Sequence, residues 1–315
     1  MSNKVYKFGG LKLGQRIALG IGASALVAGL GFGGFYVISH QATESETIVS
    51  ADTEVVDSQT SSAATSSTEL KNGSNKIASG GTYTFTGAIT GKISVDTTEK
   101  VTIILNGVTI TGNDGAAIKC QEGSNVEIQL IGVNKITSAV DSDGINSEGD
   151  LTISGEGSLV VKADDDGIHA DGKLTIKNGD VAITAAEGLE ATCVVIDGGT
   201  LKITATDDGI NAANKSDKYS AKVEINGGDI TIDMGQGDTD AIDSNGDLYI
   251  NGGTLTITAQ SPFDYDGTAK YTGGKMIVNG TETTEITNQF ANGGGGQQPG
   301  RTNQQPGQTG RGMMR

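Results

Sequence analysis

A short acid-glycine-apolar pattern recurs at nearly regular intervals in the middle of the chain. A carboxylate precedes, and Ile or Leu follows, each of four glycines: Gly144, Gly167, Gly188 and Gly209. The steps between these glycines are 23, 21 and 21 residues. A period of this length is typical of solenoids, in which each repeat packs only against its neighbours. The repeat therefore limits the possible folds more than any other feature of the sequence.

Between the acidic turns, apolar and polar residues alternate in short runs. In one repeat, Leu174 and Ile176 precede the turn Asn178-Gly179, and Val181 follows it. Alternation with a period of two places the apolar residues on one face of a strand. We predict an all-β fold, a parallel β-helix with about 21–23 residues in each coil.

An antiparallel sandwich is the alternative fold. Asn-Gly between two alternating strands is also the strongest hairpin signal, and a hairpin at residues 178–179 would pair Ile176 with Val181. A hairpin does not explain why the acidic turn recurs in fixed register, whereas stacked coils turn that recurrence into a column. The β-helix is therefore favoured.

The sequence divides into five segments. Residues 1–16 are basic, which predicts a cytoplasmic N-terminus, and residues 17–38 form an uncharged run long enough for a transmembrane helix. We interpret residues 39–70 as a disordered Ser/Thr-rich linker, 71–290 as the β-helix and 291–315 as a disordered Gly/Gln/Pro tail. A cleaved signal peptide is the alternative for the apolar run, and both interpretations export the protein.

The chain is strongly acidic, with a formal net charge of -16. A surface of this sign repels phosphates, so we expect no nucleic-acid partner. Cations, or ligands bridged by cations, are the better candidates. We expect a monomer.

The two cysteines, Cys120 and Cys193, lie three repeats apart. Three steps of about 4.8 Å between stacked strands give about 14 Å, which exceeds the Cα separation of about 7 Å that a disulfide tolerates. Both are therefore predicted to be free thiols.

Stacking the repeats aligns polar residues into two columns. The first column contains Asp143, Asp166, Glu187, Asp208 and Asp240. The second column, three residues further on, contains Asn146, His169, Glu190, Asn211 and Asp243. Five more acids flank the columns: Asp141, Asp164, Asp165, Asp207 and Asp238.

The stacked carboxylates need a counterion. Two unit charges about 5 Å apart repel by roughly 3 kcal/mol at an effective dielectric constant near 20. Calcium takes about six to eight oxygen ligands and tolerates a mixture of carboxylates, amides and carbonyls. We predict Ca²⁺ as the cofactor, with the acids of both columns and their flanks as candidate ligands. The alternative is an exposed acidic edge that water and sodium screen.

His169 is the one histidine of the repeat region. Neighbouring carboxylates favour its cationic form, which suits a general base poorly. We therefore predict no catalytic residue. The candidate carbohydrate-binding residues are His169 and Asn211 of the second column together with Tyr249 and Tyr265 from a sparse aromatic cluster.

Several segments of the sequence resemble a known family. DDDGIHADGKLTI, GGTLKITATDDGINAA and INGGTLTITA are similar to the clostridial carbohydrate-binding domain family, well over residues 147–280 and loosely over 72–147. The resemblance implies a right-handed parallel β-helix like that of pectate-type polysaccharide lyases. It also implies export, calcium between the acidic turns, and affinity for polysaccharides that include acidic plant-wall polymers.

The acidic turns match the family to different degrees. By position, Asp165-Asp166 and Asp207-Asp208 match its acidic turn. The turn at Glu187 departs from the pattern, because only one acid precedes its glycine. A metal site at that coil is therefore less well supported by the resemblance.

Three functions remain open at this point. The leading hypothesis is a calcium-stabilised, non-catalytic polysaccharide-binding module on the cell surface, tethered by the N-terminal segment or secreted if that segment is cleaved. A pectate-type lyase would need a lysine or arginine base beside the metal. No arginine lies within residues 141–211, and no lysine belongs to the columns. The third hypothesis is a structural adhesin, which the scarcity of aromatic sugar platforms leaves open.

Overall fold

The computed structural model describes residues 6–7, 25–29, 35–39, 65–235 and 239–288. The chain forms two compact units, Met1–Thr60 and Ser61–Arg315. The predicted C-terminal tail lies outside the described residues, as does Asp238.

The described part of the first unit is a small antiparallel sheet. Its strands are β1 (Tyr6–Lys7), β2 (Ala25–Gly29) and β3 (Phe35–Ser39), and β3 pairs with both others. These strands hold the described part of the predicted transmembrane segment, so the structure does not support the predicted helix. The many glycines of this run disfavour a helix, and its Val, Ile and aromatic residues favour strands. Among the described residues, no helix is long and apolar enough to cross a membrane.

The second unit is a stack of short strands. Their bounds are β4 Thr65–Glu69, β5 Gly73–Ile77, β6 Gly81–Val95, β7 Lys100–Thr111, β8 Ile118–Cys120, β9 Asn125–Ile131, β10 Val133–Thr137, β11 Ile145–Ser147, β12 Asp150–Gly155, β13 Ser158–Lys162, β14 Asp166–Ile176, β15 Asp180–Ala185, β16 Glu187–Ile196, β17 Thr200–Ala205, β18 Ile210–Ala212, β19 Lys222–Ile225, β20 Asp229–Met234, β21 Asp240–Ser244, β22 Asp247–Ile250, β23 Thr254–Thr258, β24 Ser261–Tyr265, β25 Ala269–Tyr271, β26 Lys275–Val278 and β27 Thr281–Glu282. Strand β4 begins inside the predicted linker and pairs with β6.

Apart from β27, the strands of this unit pair in parallel with the equivalent strands of neighbouring coils. Ile176 lies opposite Ile196, and Val181 lies opposite Leu201, both in parallel register. The hairpin that would join β14 to β15 is therefore wrong, and the predicted β-helix is confirmed. Among the described strands of this unit, the one antiparallel pair is β26 with β27. A right-handed path is the sense expected for parallel strands joined by crossovers.

The interior of the stack is filled by columns of aliphatic side chains. One such column contains Ile145, Ile168, Leu189, Ile210 and Ile242, all fully buried. Burying one such side chain contributes about 1.5–3 kcal/mol. The alternating pattern of the sequence thus becomes the core that supports the acidic turns.

The glycine after each acidic turn is required by close stacking of the coils. A Cβ atom on Gly188 would overlap the carbonyl oxygen of Gly209 and the side chain of Ile203. On Gly209 it would lie 2.5 Å from the carbonyl oxygen of Ala241. The recurring glycine is therefore a packing requirement of the fold.

The two cysteines agree with the predicted register. Cys120 lies opposite Ser147, and Cys193 lies opposite Lys173 and Lys222 in a coil further along the stack. Both are buried and free, which confirms the prediction.

Candidate functional site

The acidic turns stand at the beginnings of strands β14, β16 and β21, where each coil returns to the same sheet. The second column is in register over Asn146, His169, Glu190, Asn211 and Asp243. Polar side chains that are spread over about a hundred residues of sequence therefore form one continuous surface.

Backbone amides of the first column donate hydrogen bonds to the side-chain carboxylates of the preceding coil. Asp166 lies opposite Glu187, and the amide nitrogen of Asp166 donates to Asp143 Oδ1 at 3.2 Å. The amide nitrogen of Asp240 donates to Asp208 Oδ1 at 3.2 Å. The carboxylates of this column thus help to hold successive coils together.

Burial separates the predicted ligands into two groups. The acids of the two columns are half-buried or buried, and Asp166 and Glu190 are only 7% and 5% exposed. Four flanking acids are exposed: Asp141, Asp164, Asp165 and Asp207. Bulk salt screens buried charges poorly, so the charge of the columns depends on the groups in direct contact with them.

His169 lies at the centre of three carboxylates. Its Nδ1 lies 2.8 Å from Asp166 Oδ2 and 2.7 Å from Glu190 Oε2, and its Nε2 lies 2.9 Å from Asp171 Oδ1. Lys215 Nζ lies 2.7 Å from Glu190 Oε1. Both ring nitrogens face acceptors, so the geometry requires an imidazolium that donates from each nitrogen.

The contacts of His169 fix the charges of this coil. Burial alone would lower the pKa of His169, but hydrogen bonds to Asp166, Glu190 and Asp171 raise it to about 11. Burial would raise the pKa of Glu190, yet hydrogen bonds from His169 and Lys215 lower it. A cationic His169 is what the sequence predicts. This coil carries its own counterions.

Among the described residues, neither Glu187 nor Asp208 forms an ion pair with a basic side chain. Burial raises the pKa of Asp208 to about 7, where the charges of Asp243 and Asp207 add to the shift and a hydrogen bond from the Asp240 amide opposes it. Burial and the charges of Glu190 and Asp166 raise the pKa of Glu187 to about 8.

Asp243 follows the same trend. Burial, followed by the charges of Asp264, Asp240 and Asp266, raises the pKa of Asp243 to about 6. Within the described residues, no basic side chain pairs with Asp208 or Asp243. These carboxylates are therefore poorly compensated by the protein itself.

Two observations bear on metal binding. Asp166, Glu187 and Glu190 each bring a carboxylate oxygen within 4.8 Å of one another, and so do Asp143 and Asp166 with a nitrogen of His169. The side-chain nitrogen Nδ2 of Asn211 donates to Glu187 Oε2 at 3.0 Å, but Asn211 Oδ1 is buried and has no hydrogen-bond partner among the described residues. A buried carbonyl oxygen without a donor is a suitable ligand for a hard cation.

The predicted aromatic residues do not form one platform. Tyr265 packs against the core, and its hydroxyl donates to the carbonyl oxygen of Ile286. Phe263 is 2% exposed. Tyr249 lies on a half-buried sheet face, where Lys270 Nζ is 5.8 Å from its ring centroid and its hydroxyl donates to Asp247. Of these three, Tyr249 is the one with its side chain on the outer face.

Three residues of the site were not predicted from the sequence. Asp171 and Lys215 both contact the His169 cluster, and Asp264 continues the second column beyond Asp243. Asp264 lies 21 residues after Asp243, so the repeat period could have found it. Lys215 lies in a non-repeating insertion, and no periodic signal predicts its contact with Glu190.

Comparison with known proteins agrees with this geometry. A family model of carbohydrate-binding domain-containing proteins matches residues 71–293. The chain belongs to this family. A solved structure, a gadolinium derivative of the polysaccharide lyase-like protein from C. thermocellum, is 29% identical with a TM-score of 0.50. The match covers 66% of this chain and 86% of that one. No curated protein sequence matches significantly.

Membership of the carbohydrate-binding domain-containing family confirms the resemblance indicated by the repeated segments. The matched residues contain both columns and the insertion after Ala212. The surface described above therefore belongs to the part of the chain that defines the family.

Proposed function

We propose that the chain is a non-catalytic polysaccharide-binding module whose β-helix is stabilised by calcium. The observation that carries the proposal is the buried, unpartnered Oδ1 of Asn211, which stands in a column of poorly compensated carboxylates. A calcium ion at this position would accept that oxygen as a ligand and would favour the ionised forms of Asp208 and Asp243.

The proposed calcium lies nearest the coils of Asp208, Asn211 and Asp243. The neighbouring coil is less suited to it, because the His169 imidazolium and the Lys215 ammonium already contact Asp166 and Glu190.

The proposed ligand is an acidic polysaccharide. A chain with a net charge of -16 repels an anionic polymer, so binding requires a bridging cation. Asp165 and Asp207 are exposed at the rim of the columns and could share a calcium ion with a sugar carboxylate. Binding of this kind should disappear when calcium is chelated.

Binding without cleavage is favoured by the state of the nearby bases. A lyase needs a neutral base to remove a proton beside the uronate carboxylate. Hydrogen bonds hold His169 as a cation, and the contact with Glu190 raises the pKa of Lys215 against the effect of burial. Neither side chain is suited to proton abstraction near neutral pH.

We also propose that the module acts outside the cell. The basic segment 1–16 followed by the uncharged run 17–38 supports export, with the run as a membrane anchor or a cleaved signal. The module is proposed to work as a monomer.

The test measures binding and cleavage on one polymer, polygalacturonate. The full chain should retain the polymer with millimolar calcium and release it with excess chelator, and no unsaturated product should absorb in the ultraviolet. The variant Asp208→Asn should bind more weakly, whereas the exposed Asp180→Asn, outside the columns, should bind as the wild type does. Unsaturated product that depends on calcium would instead identify a lyase, and no retention in either buffer would favour a structural adhesin.

A further inference from the structure

Residues 213–221, between β18 and β19, form an insertion in the repeat. This insertion lines a cleft beside the acidic columns. Ile210 pairs directly with Ile242 although 32 residues separate them, so the extra residues protrude at the corner between two sheets. The cleft between this insertion and the next coil has a volume of about 610 Å³. Side chains that line it include Asn214, Ser216, Asp217, Tyr219, Asn245 and Asp247. Its size falls in the range of about 300–1,000 Å³ that is typical of small-ligand sites.

The cleft is held in place by hydrogen bonds to two earlier coils of the stack. The amide nitrogens of Lys215 and Ser216 donate to Oγ1 of the buried Thr192 at 3.0 and 2.9 Å. Lys218 Nζ and the Tyr219 hydroxyl both donate to Asp150 Oδ2, at 2.6 and 3.0 Å. A site ordered before binding avoids part of the entropy cost of association.

The lining is suited to hydroxyl groups rather than to an anion. Amides, hydroxyls and two carboxylates, Asp217 and Asp247, offer donors and acceptors at close quarters. Lys215 also lines the cleft, but its ammonium group contacts Glu190, and the ammonium group of Lys218 contacts Asp150. A uronate would therefore meet carboxylates with no available counter-charge.

Tyr219 supplies an apolar surface among these polar groups. Its ring is half-buried and lines the cleft, while Lys218 Nζ lies 5.0 Å from the ring centroid. An aromatic ring beside convergent hydrogen-bonding groups suits the apolar face and the hydroxyl edge of a sugar ring.

We propose that this cleft binds a neutral sugar unit of a polysaccharide and that it does so without a metal ion. The inference rests on the proposed function in requiring a glycan ligand, but it assigns a second subsite with a different chemistry. The acidic columns would bind uronates through calcium, and the cleft would bind uncharged sugars directly.

The test uses isothermal titration calorimetry on the full chain with oligogalacturonate and its fully methyl-esterified counterpart, in which each carboxylate is replaced by an uncharged methyl ester. The neutral oligosaccharides xylohexaose and cellohexaose are titrated as well. At least one neutral oligosaccharide should bind equally well with calcium and with chelator. Tyr219→Ala should weaken that binding about tenfold or more. Asp180→Asn, at an exposed residue that does not line the cleft, should change it by less than about threefold.

The two proposals can fail separately. Asp208→Asn should weaken binding of oligogalacturonate and leave binding of the neutral sugar unchanged, with thermal melts used to confirm that each variant is folded. The cleft proposal is overturned if no neutral oligosaccharide binds at millimolar concentration. It is also overturned if neutral binding needs calcium or survives unchanged in folded Tyr219→Ala.

Discussion

At the level of single residues, the charge balance of the columns changes from one coil to the next. His169 and Lys215 neutralise Asp166 and Glu190, with contacts of 2.7 to 2.8 Å. One coil further on, Asn211 stands where Glu190 stands, and its amide brings no charge. The second column therefore changes charge from coil to coil, from the cationic His169 to the anionic Glu190 and the neutral Asn211.

The raised acid pKa values predict how stability depends on pH. The pKa values of Glu187 and Asp208 rise from 4.5 and 3.8 to about 8 and about 7 in the folded state. Between pH 4.5 and 8 the unfolded chain binds fewer protons at these groups than the native chain, so stability falls as pH rises. His169 acts in the same direction above pH 6.5. Its pKa is about 11 in the folded state, so the native chain keeps a proton on His169 that the unfolded chain has lost.

Thermal melts across this pH range test the prediction. In chelator the melting temperature of the full chain should fall from pH 4.5 to pH 8, and calcium should reduce the fall because it binds the ionised carboxylates. Asp208→Asn should flatten the curve measured in chelator, and Asp180→Asn should not. A melting temperature that rises steadily over this range would contradict the assignment of buried, poorly compensated acids.

At the level of elements, the acid-glycine turn determines how closely coils stack. Gly188→Ala should destabilise the fold by about 1–3 kcal/mol, because the added Cβ overlaps Gly209 and Ile203. Gly235→Ala is the matched control, since its Cβ would lie 3.5 Å from the nearest atom, the carbonyl oxygen of Ala205. Chemical denaturation of both variants gives the comparison, and equal stabilities would show that the glycine is not needed for stacking.

The elements also show which features a sequence can predict. Periodicity predicts the parallel stacking and the second column, because every coil repeats the same apolar positions. It does not predict the contact of Lys215 with Glu190, or that of Tyr219 with Asp150, since both come from an insertion that has no counterpart in other coils. Composition alone predicts Tyr265 as a sugar contact, whereas its register opposite the buried Ser244 turns the ring toward the core.

At the level of the whole molecule, the β-helix brings acidic turns that are far apart in the sequence onto one extended surface. Each turn contributes one to three acids, and stacking brings acids from successive coils together. Exposed acids such as Asp165 and Asp207 lie outside the buried ones. The resulting surface combines buried and exposed carboxylates, and the insertion adds a separate polar cleft at its side.

Calcium binding to the metal-free full chain is the most direct test of this account. Isothermal titration calorimetry should give saturable binding of calcium to the wild type. The double variant Asp208→Asn/Asp243→Asn should bind much more weakly, because it removes Asp243, which lies opposite Asn211, and Asp208, which precedes Asn211 by three residues. Asp180→Asn should bind calcium as the wild type does. Absence of calcium binding by the folded wild type, or equal binding by the double variant, would contradict the central claim that the acidic columns form a calcium site.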